Sequence, residues 1–83
     1  MKVNLRYFAS LRETVGLGSE AVDTCATTLG ALRDELIAKG GVHAEALGRD
    51  RVVRAAVNQT MSDESTALTE GAEIGFFPPV TGG

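Results

Sequence analysis

An α+β fold, a mixed sheet with one main helix packed on one face, is predicted by three features of the sequence. Apolar and polar residues alternate with a period of two in Lys2–Phe8, and again in Arg51–Asn58 and Glu73–Phe77. One segment, Thr28–Lys39, carries an apolar stripe at helical spacing. The chain has 83 residues, 43% hydrophobic and 23% charged, which is the size and balance of a single folded domain rather than a disordered segment.

Each element has a local cause. In Lys2–Phe8, Val3, Leu5 and Tyr7 form an apolar face against Lys2, Asn4 and Arg6, and Phe8 falls on the polar face. Ser10–Val15 can form a short helical turn that Gly16 and Gly18 break. Glu20–Thr24 reads as a second strand that pairs back on the first. In the helix, Leu29, Leu32, Leu36 and Ile37 share one stripe, Thr27 or Thr28 can cap the start, and Gly40-Gly41 stops it. Gly41–Asp50 is read as a loop with a helical turn at Ala44–Leu47.

Arg51–Asn58 follows as a strand, with Val53, Ala55 and Val57 on one face. Asn58-Gln59-Thr60 turns into a short strand at Met61, and Ser62–Thr66 is read as a polar loop. Leu68-Thr69-Glu70-Gly71 approaches a bend at Gly71. In Glu73–Phe77, Ile74 and Phe76 point one way, Gly75 and Phe77 the other. Pro78 and Pro79 end that strand, because proline cannot donate to a ladder. The order is ββαββ. A compact arrangement sets the first and last strands parallel and adjacent at the centre, which is the ubiquitin-like, β-grasp plan. Residues 1–77 are assigned to this domain and 78–83 to an extended C-terminal tail.

Composition excludes several function classes. No apolar run approaches a bilayer span, so no membrane association is expected. The opening MKVNLRYFAS reads as the start of the fold rather than as a secretory signal. The net charge is −3 and the eight basic residues are scattered, against the concentrated basic face that nucleic-acid binding needs. Cys25 is the only cysteine and His43 the only histidine, too few for a structural zinc site, and a lone thiol fits the reducing cytoplasm.

Other chemical-looking signals have plain readings. Gly16-Leu17-Gly18-Ser19-Glu20-Ala21 matches a loose dinucleotide fingerprint but follows no strand directly and opens no helix. Asn58-Gln59-Thr60 fits a glycosylation sequon but reads as a hairpin turn. Cys25 is assigned to core or edge packing, His43 to a solvated loop, and Asp63 and Glu64 to a solvated polar loop.

What remains is the end, Phe76-Phe77-Pro78-Pro79-Val80-Thr81-Gly82-Gly83. A terminal Gly-Gly arises by chance about once in seventy at this glycine content. The context adds weight. Two prolines hold the chain extended, and two glycines offer no side chains, so such a tail can thread a narrow channel and present its carboxylate to another protein. Phe8 and Phe77 both fall opposite the core. If their strands are parallel neighbours, the rings lie together at the base of the tail, with Met61 nearby. An aromatic patch rimmed by charge is a usual partner-binding feature.

These residues resemble the small subunits of molybdopterin synthase, a family of ubiquitin-like sulfur carriers. The resemblance rests on Ala55-Ala56-Val57-Asn58-Gln59-Thr60, on Leu68-Thr69-Glu70-Gly71, and on Glu73-Ile74 followed by the whole end from Phe76 to Gly83. Tyr7-Phe8-Ala9, Leu11-Arg12-Glu13 and Ala31-Leu32-Arg33 also fit, while Met61–Ala67 departs most. The resemblance implies a non-catalytic sulfur-donor subunit that binds no cofactor or metal itself. An E1-like adenylating enzyme would use ATP to adenylate Gly83, and sulfur from a persulfide donor would displace AMP to leave a thiocarboxylate. The large subunit of molybdopterin synthase would take the tail and pass sulfur to a pterin precursor. By carry-over, Gly82 and Gly83 would form the reactive end, and Phe8, Met61, Phe77, Pro78, Pro79, Val80 and Thr81 would bind partners. A carrier for thiamine or cysteine synthesis, or a ubiquitin-like protein modifier, stands as the alternative.

Overall fold

Alternation in the first segment is realised as strand β1 (Lys2–Tyr7), in which Val3, Leu5 and Tyr7 are buried and their neighbours exposed. A computed structural model describes residues 1–79 of the chain; positions 80–83 lie outside the described residues. The elements after β1 are α1 (Ala9–Val15), β2 (Ser19–Asp23), α2 (Leu29–Ala38), α3 (Gly41–Leu47), β3 (Arg54–Val57), β4 (Thr60–Ser62) and β5 (Glu73–Phe77).

The sheet order is β2-β1-β5-β3-β4. β1 and β5 run parallel, with Leu5 opposite Ile74 and Tyr7 opposite Phe76. β2 pairs antiparallel with β1, and β3 antiparallel with both β5 and β4. This is the ubiquitin-like, β-grasp plan expected from the sequence. A parallel pair cannot be closed by a tight turn. Here the link between β1 and β5 carries the other elements, and the helices cover one face. The core lies between that face and α2, where Leu29, Leu32 and Leu36 meet Leu5, Ile74 and Phe76. Phe76 and Tyr7 stack within it, 6.1 Å between ring centroids.

Helix α2 starts where the Thr28 hydroxyl accepts the Ala31 N–H at 3.2 Å. Two more free N–H groups of its first turn are used: Leu29 donates to the Thr66 carbonyl and Gly30 to the Glu64 carbonyl, each at 2.9 Å. The segment around residues 63–66 is therefore packed on the helix and is not the free loop its polarity suggested. Gly30 permits this approach, since a Cβ there would lie 2.9 Å from the Glu64 Cβ.

The glycine pair after α2 acts differently from expectation. Gly40 takes a left-handed φ of 75° and turns the chain, and α3 begins at once at Gly41. The sequence predicts a loop here with a turn at Ala44–Leu47. The whole segment is helical because folding buries Ala46 and Leu47, a gain its local propensity does not reveal. The hairpin between β3 and β4 turns through Asn58 (φ 50°) and Gln59 (φ 69°), two left-handed residues as a two-residue hairpin requires. Asn58 Oδ1 also accepts the Glu73 N–H at 3.0 Å, tying the turn to β5.

Arg33 lies on the buried side of α2 although it is charged. Its guanidinium donates to the carbonyls of Leu47 (2.8 Å), Gly48 (2.9 Å) and Arg51 (2.9 Å), and to Glu64 Oε2 at 3.1 Å. Arg49 joins Glu64 to Asp34. Glu64, assigned to solvation from the sequence, is thus the acceptor that binds two arginines. The Arg49 hydrogen bond, outweighing partial desolvation, holds its carboxyl below the ordinary value.

Candidate functional site

The face of the sheet away from the helices is built by strand register. One row across it reads Arg6, Gly75, Ala56 and Met61, and Phe77 lies opposite Arg54 in the next. The ladder between β1 and β5 continues one residue past β1, because the Phe8 N–H donates to the Phe76 carbonyl at 3.0 Å. Phe8 therefore keeps extended geometry (φ −118°, ψ 153°), and its ring emerges on the outer face while it caps α1.

Phe8 and Phe77 meet there edge to face, 6.1 Å between centroids with planes at 79°. The Arg6 guanidinium sits over the Phe8 ring, 5.0 Å from its centroid. Because the middle of the row is made of the small residues Gly75 and Ala56, the larger side chains leave a hollow of about 340 Å³, lined by Phe8, Phe77, Met61, Ala56, Gly75 and Gln59. Phe8 is 38% exposed and Met61 55%. The structure thus brings Phe8 and Phe77 into contact and sets Met61 across the same hollow. Arg6, Arg54 and Glu73 supply charge around it. Pro78 and Pro79 are half-buried, so the chain still touches the domain beyond β5. Val80, Thr81, Gly82 and Gly83 lie outside the described residues.

Two single residues stand elsewhere than expected. Cys25 is exposed rather than packed, because Thr24 and Ala26 on either side take the inward positions. Its N–H donates to Glu35 Oε2 at 3.3 Å. His43 is mostly buried: its Nε2 lies 2.8 Å from Glu20 Oε2, which also accepts the Tyr7 O–H at 2.9 Å. Burial, reinforced by the Glu20 hydrogen bond and charge, pushes the Tyr7 phenol above its ordinary value. Burial also works upward on the Glu20 carboxyl, but the bonds from His43 and Tyr7 outweigh it and hold the group below its ordinary value. This cluster joins β1, β2 and α3 on the helix side of the sheet, away from the aromatic hollow. Its signal in the sequence was the lone polar residue Glu20 opposite Leu5, legible only once the register is known.

Among the described residues, no cluster of three or more His, Cys, Asp or Glu could hold a metal ion. No helix among them is long and apolar enough to cross a membrane.

Comparison with known proteins agrees with this fold. A family model described as the ThiS family matches residues 5–83. The chain is 42% identical to the molybdopterin synthase sulfur carrier subunit of Escherichia coli (strain K12) and 38% identical to that of Haemophilus influenzae, in each case over 98% of this chain and 99% of the relative. Among solved structures, SAMP1 from Haloferax volcanii matches with a TM-score of 0.78 at 26% identity. The complex of subunits 1 and 2 of the molybdopterin-converting factor from Helicobacter pylori matches with a TM-score of 0.70 at 31% identity. Both matches cover 100% of each chain.

Proposed function

The chain belongs to the ThiS family, and from that premise we propose that it is the sulfur carrier subunit of a molybdopterin synthase, acting in molybdenum cofactor biosynthesis. The observation that carries the reading is positional: β5 leads to the C-terminus directly from the aromatic hollow, since Phe77 is both its last residue and one wall of that hollow. A protein that docks on Phe8, Phe77 and Met61 is placed to receive residues 78–83, which act as the tail of a domain spanning 1–77. Full-length identity to named sulfur carrier subunits supports the same reading.

The chemistry proposed for the tail needs nothing from the domain but presentation. A carboxylate is a poor acyl donor until one oxygen becomes part of a good leaving group. An E1-like enzyme lets the Gly83 carboxylate attack the α-phosphorus of ATP, releasing pyrophosphate and forming an acyl-adenylate. The terminal sulfur of a persulfide attacks that carbonyl and AMP departs. A thiol then takes the donor's sulfur into a disulfide, leaving the thiocarboxylate on Gly83. Gly82 and Gly83 pass a narrow channel because they carry no side chains. Pro78, Pro79, Val80 and Thr81 line the approach. The large subunit supplies the catalytic groups and the pterin precursor. The carrier binds no metal or cofactor of its own, and the setting proposed is the cytoplasm.

The deciding experiment is intact-mass analysis after incubation with the activating enzyme, ATP and a persulfide source. An oxygen-for-sulfur exchange localised to Gly83 is expected. Its absence with an enzyme active on another carrier rejects the proposal. Sulfur delivery to a pterin precursor by the large subunit then separates this pathway from thiamine or cysteine synthesis, and finding the chain in isopeptide adducts would point instead to a protein modifier.

A further inference from the structure

Gly75 has no backbone reason to be glycine. It sits mid-strand in β5, outside the left-handed region, paired with Arg6 on one side and Ala56 on the other. Glycine in a strand interior weakens the strand and leaves nothing to pack. What glycine permits here is a close approach. A Cβ at this position would point to the outer face and lie 3.1 Å from Phe8 Cε2 and 3.9 Å from Phe8 Cδ2. The ring rests on the bare Gly75 backbone, with the Arg6 guanidinium over its face and the Phe77 ring against it. Gly75, Arg6 and Phe77 thus surround one partly exposed aromatic side chain.

We propose that Gly75 is a positioning residue for partner docking: the missing side chain is the seat that holds the Phe8 ring low and opens the hollow between Phe8, Phe77 and Met61. A methyl group at 75 lifts the ring and fills the floor of the hollow. The fold tolerates this, because Phe8 can move toward solvent and alanine suits a strand better than glycine. The recognition surface does not, because complementarity at an interface centre depends on where its aromatic anchors sit. The inference deepens the proposed function and rests on this hollow being the docking surface.

A double-mutant cycle tests it, using binding of the full carrier chain to the large synthase subunit, with thermal unfolding recorded for each variant. Phe8→Ala is expected to weaken binding about thirtyfold, the loss of one interface anchor. Gly75→Ala in the wild-type chain is expected to weaken binding about tenfold with the unfolding midpoint unchanged or higher. In the Phe8→Ala background the same change should have no further effect, because there is no ring left to displace. Equal losses in both backgrounds, or no loss in the wild-type chain, would overturn the positioning role while leaving the docking surface intact. If Phe8→Ala itself leaves binding unchanged, the docking reading falls and the role of Gly75 falls with it. A proton spectrum supplies a partner-free check. The Gly75 Hα resonances should be displaced by the Phe8 ring current and return toward ordinary values in Phe8→Leu; no change there refutes the seat directly.

Discussion

Phe76 and Phe77 are chemically identical neighbours on opposite faces of β5, and replacing each by alanine should separate folding from recognition. Phe76 is 1% exposed, stacks on Tyr7 and lies opposite Tyr7 on one strand and Ala55 on the other. Truncating such a ring removes its transfer free energy and leaves a cavity, together about 3–5 kcal/mol. Each kcal/mol lowers the melting temperature of a domain this size by roughly 4–8 °C, so Phe76→Ala should melt roughly 12–40 °C lower. Against a total of about 4–12 kcal/mol for a domain of this size, that loss removes from about a quarter to all of the stability. Phe77 is half-buried and its ring partner is Phe8, in an edge contact worth about 0.5–1.5 kcal/mol. Phe77→Ala should therefore lose only about 1–2 kcal/mol of stability, while its affinity for the large subunit falls about thirtyfold. Far-UV circular dichroism during urea unfolding suits the measurement, since the chain has no tryptophan. Titration calorimetry against the large subunit gives the affinity. Comparable destabilisation by the two substitutions would refute the assignment of faces. Unaltered affinity in Phe77→Ala would remove Phe77 from the docking surface.

Three further outcomes follow from contacts on the helix side of the sheet. Gly30→Ala, which in an exposed helix would stabilise by about 1 kcal/mol, should instead destabilise by about 1–3 kcal/mol, because the new methyl meets Glu64 Cβ at 2.9 Å and its carbonyl oxygen at 3.2 Å; a raised urea midpoint would contradict the packing. Arg33→Met keeps the bulk but strands the Leu47, Gly48 and Arg51 carbonyls, and should lose about 3 kcal/mol, with Arg33→Lys recovering only part because one ammonium cannot span those acceptors. For Glu20, whose folded pKa lies below its ordinary value near 4.5, the stabilisation is fully present above that value and fades as pH falls through the lower folded one. Glu20→Gln should therefore be less stable than the wild type at pH 7, with the gap narrowing in urea titrations below about pH 4.5; a gap that stays constant with pH would show that ionisation of Glu20 is not its source.

The arrangement of helix and strands was legible in the residues because its causes are local or periodic. Alternation gave β1 and β5, the Leu29, Leu32 and Leu36 stripe gave α2, and the prolines after Phe77 gave the end of the sheet. Compactness then left few ways to place two apolar-faced strands around one helix. The aromatic pair Phe8 and Phe77 could be read for a similar reason: both break an otherwise polar face, and parallel pairing brings them together.

What the sequence by itself determined is therefore the apolar faces of β1, β5 and α2 and the parallel pairing of the first and last strands. Tertiary structure alone decided the rest, because the deciding contacts join residues far apart in the chain. Glu64 looks solvated until the fold sets it against Arg33 and Arg49. His43 looks like a loop residue until α3 docks and brings it to Glu20. Gly30 and Gly75 look like weak points in a helix and a strand until a loop and an aromatic ring occupy the space their missing side chains leave. Periodicity records which way a side chain points, but only the folded chain determines what it meets there.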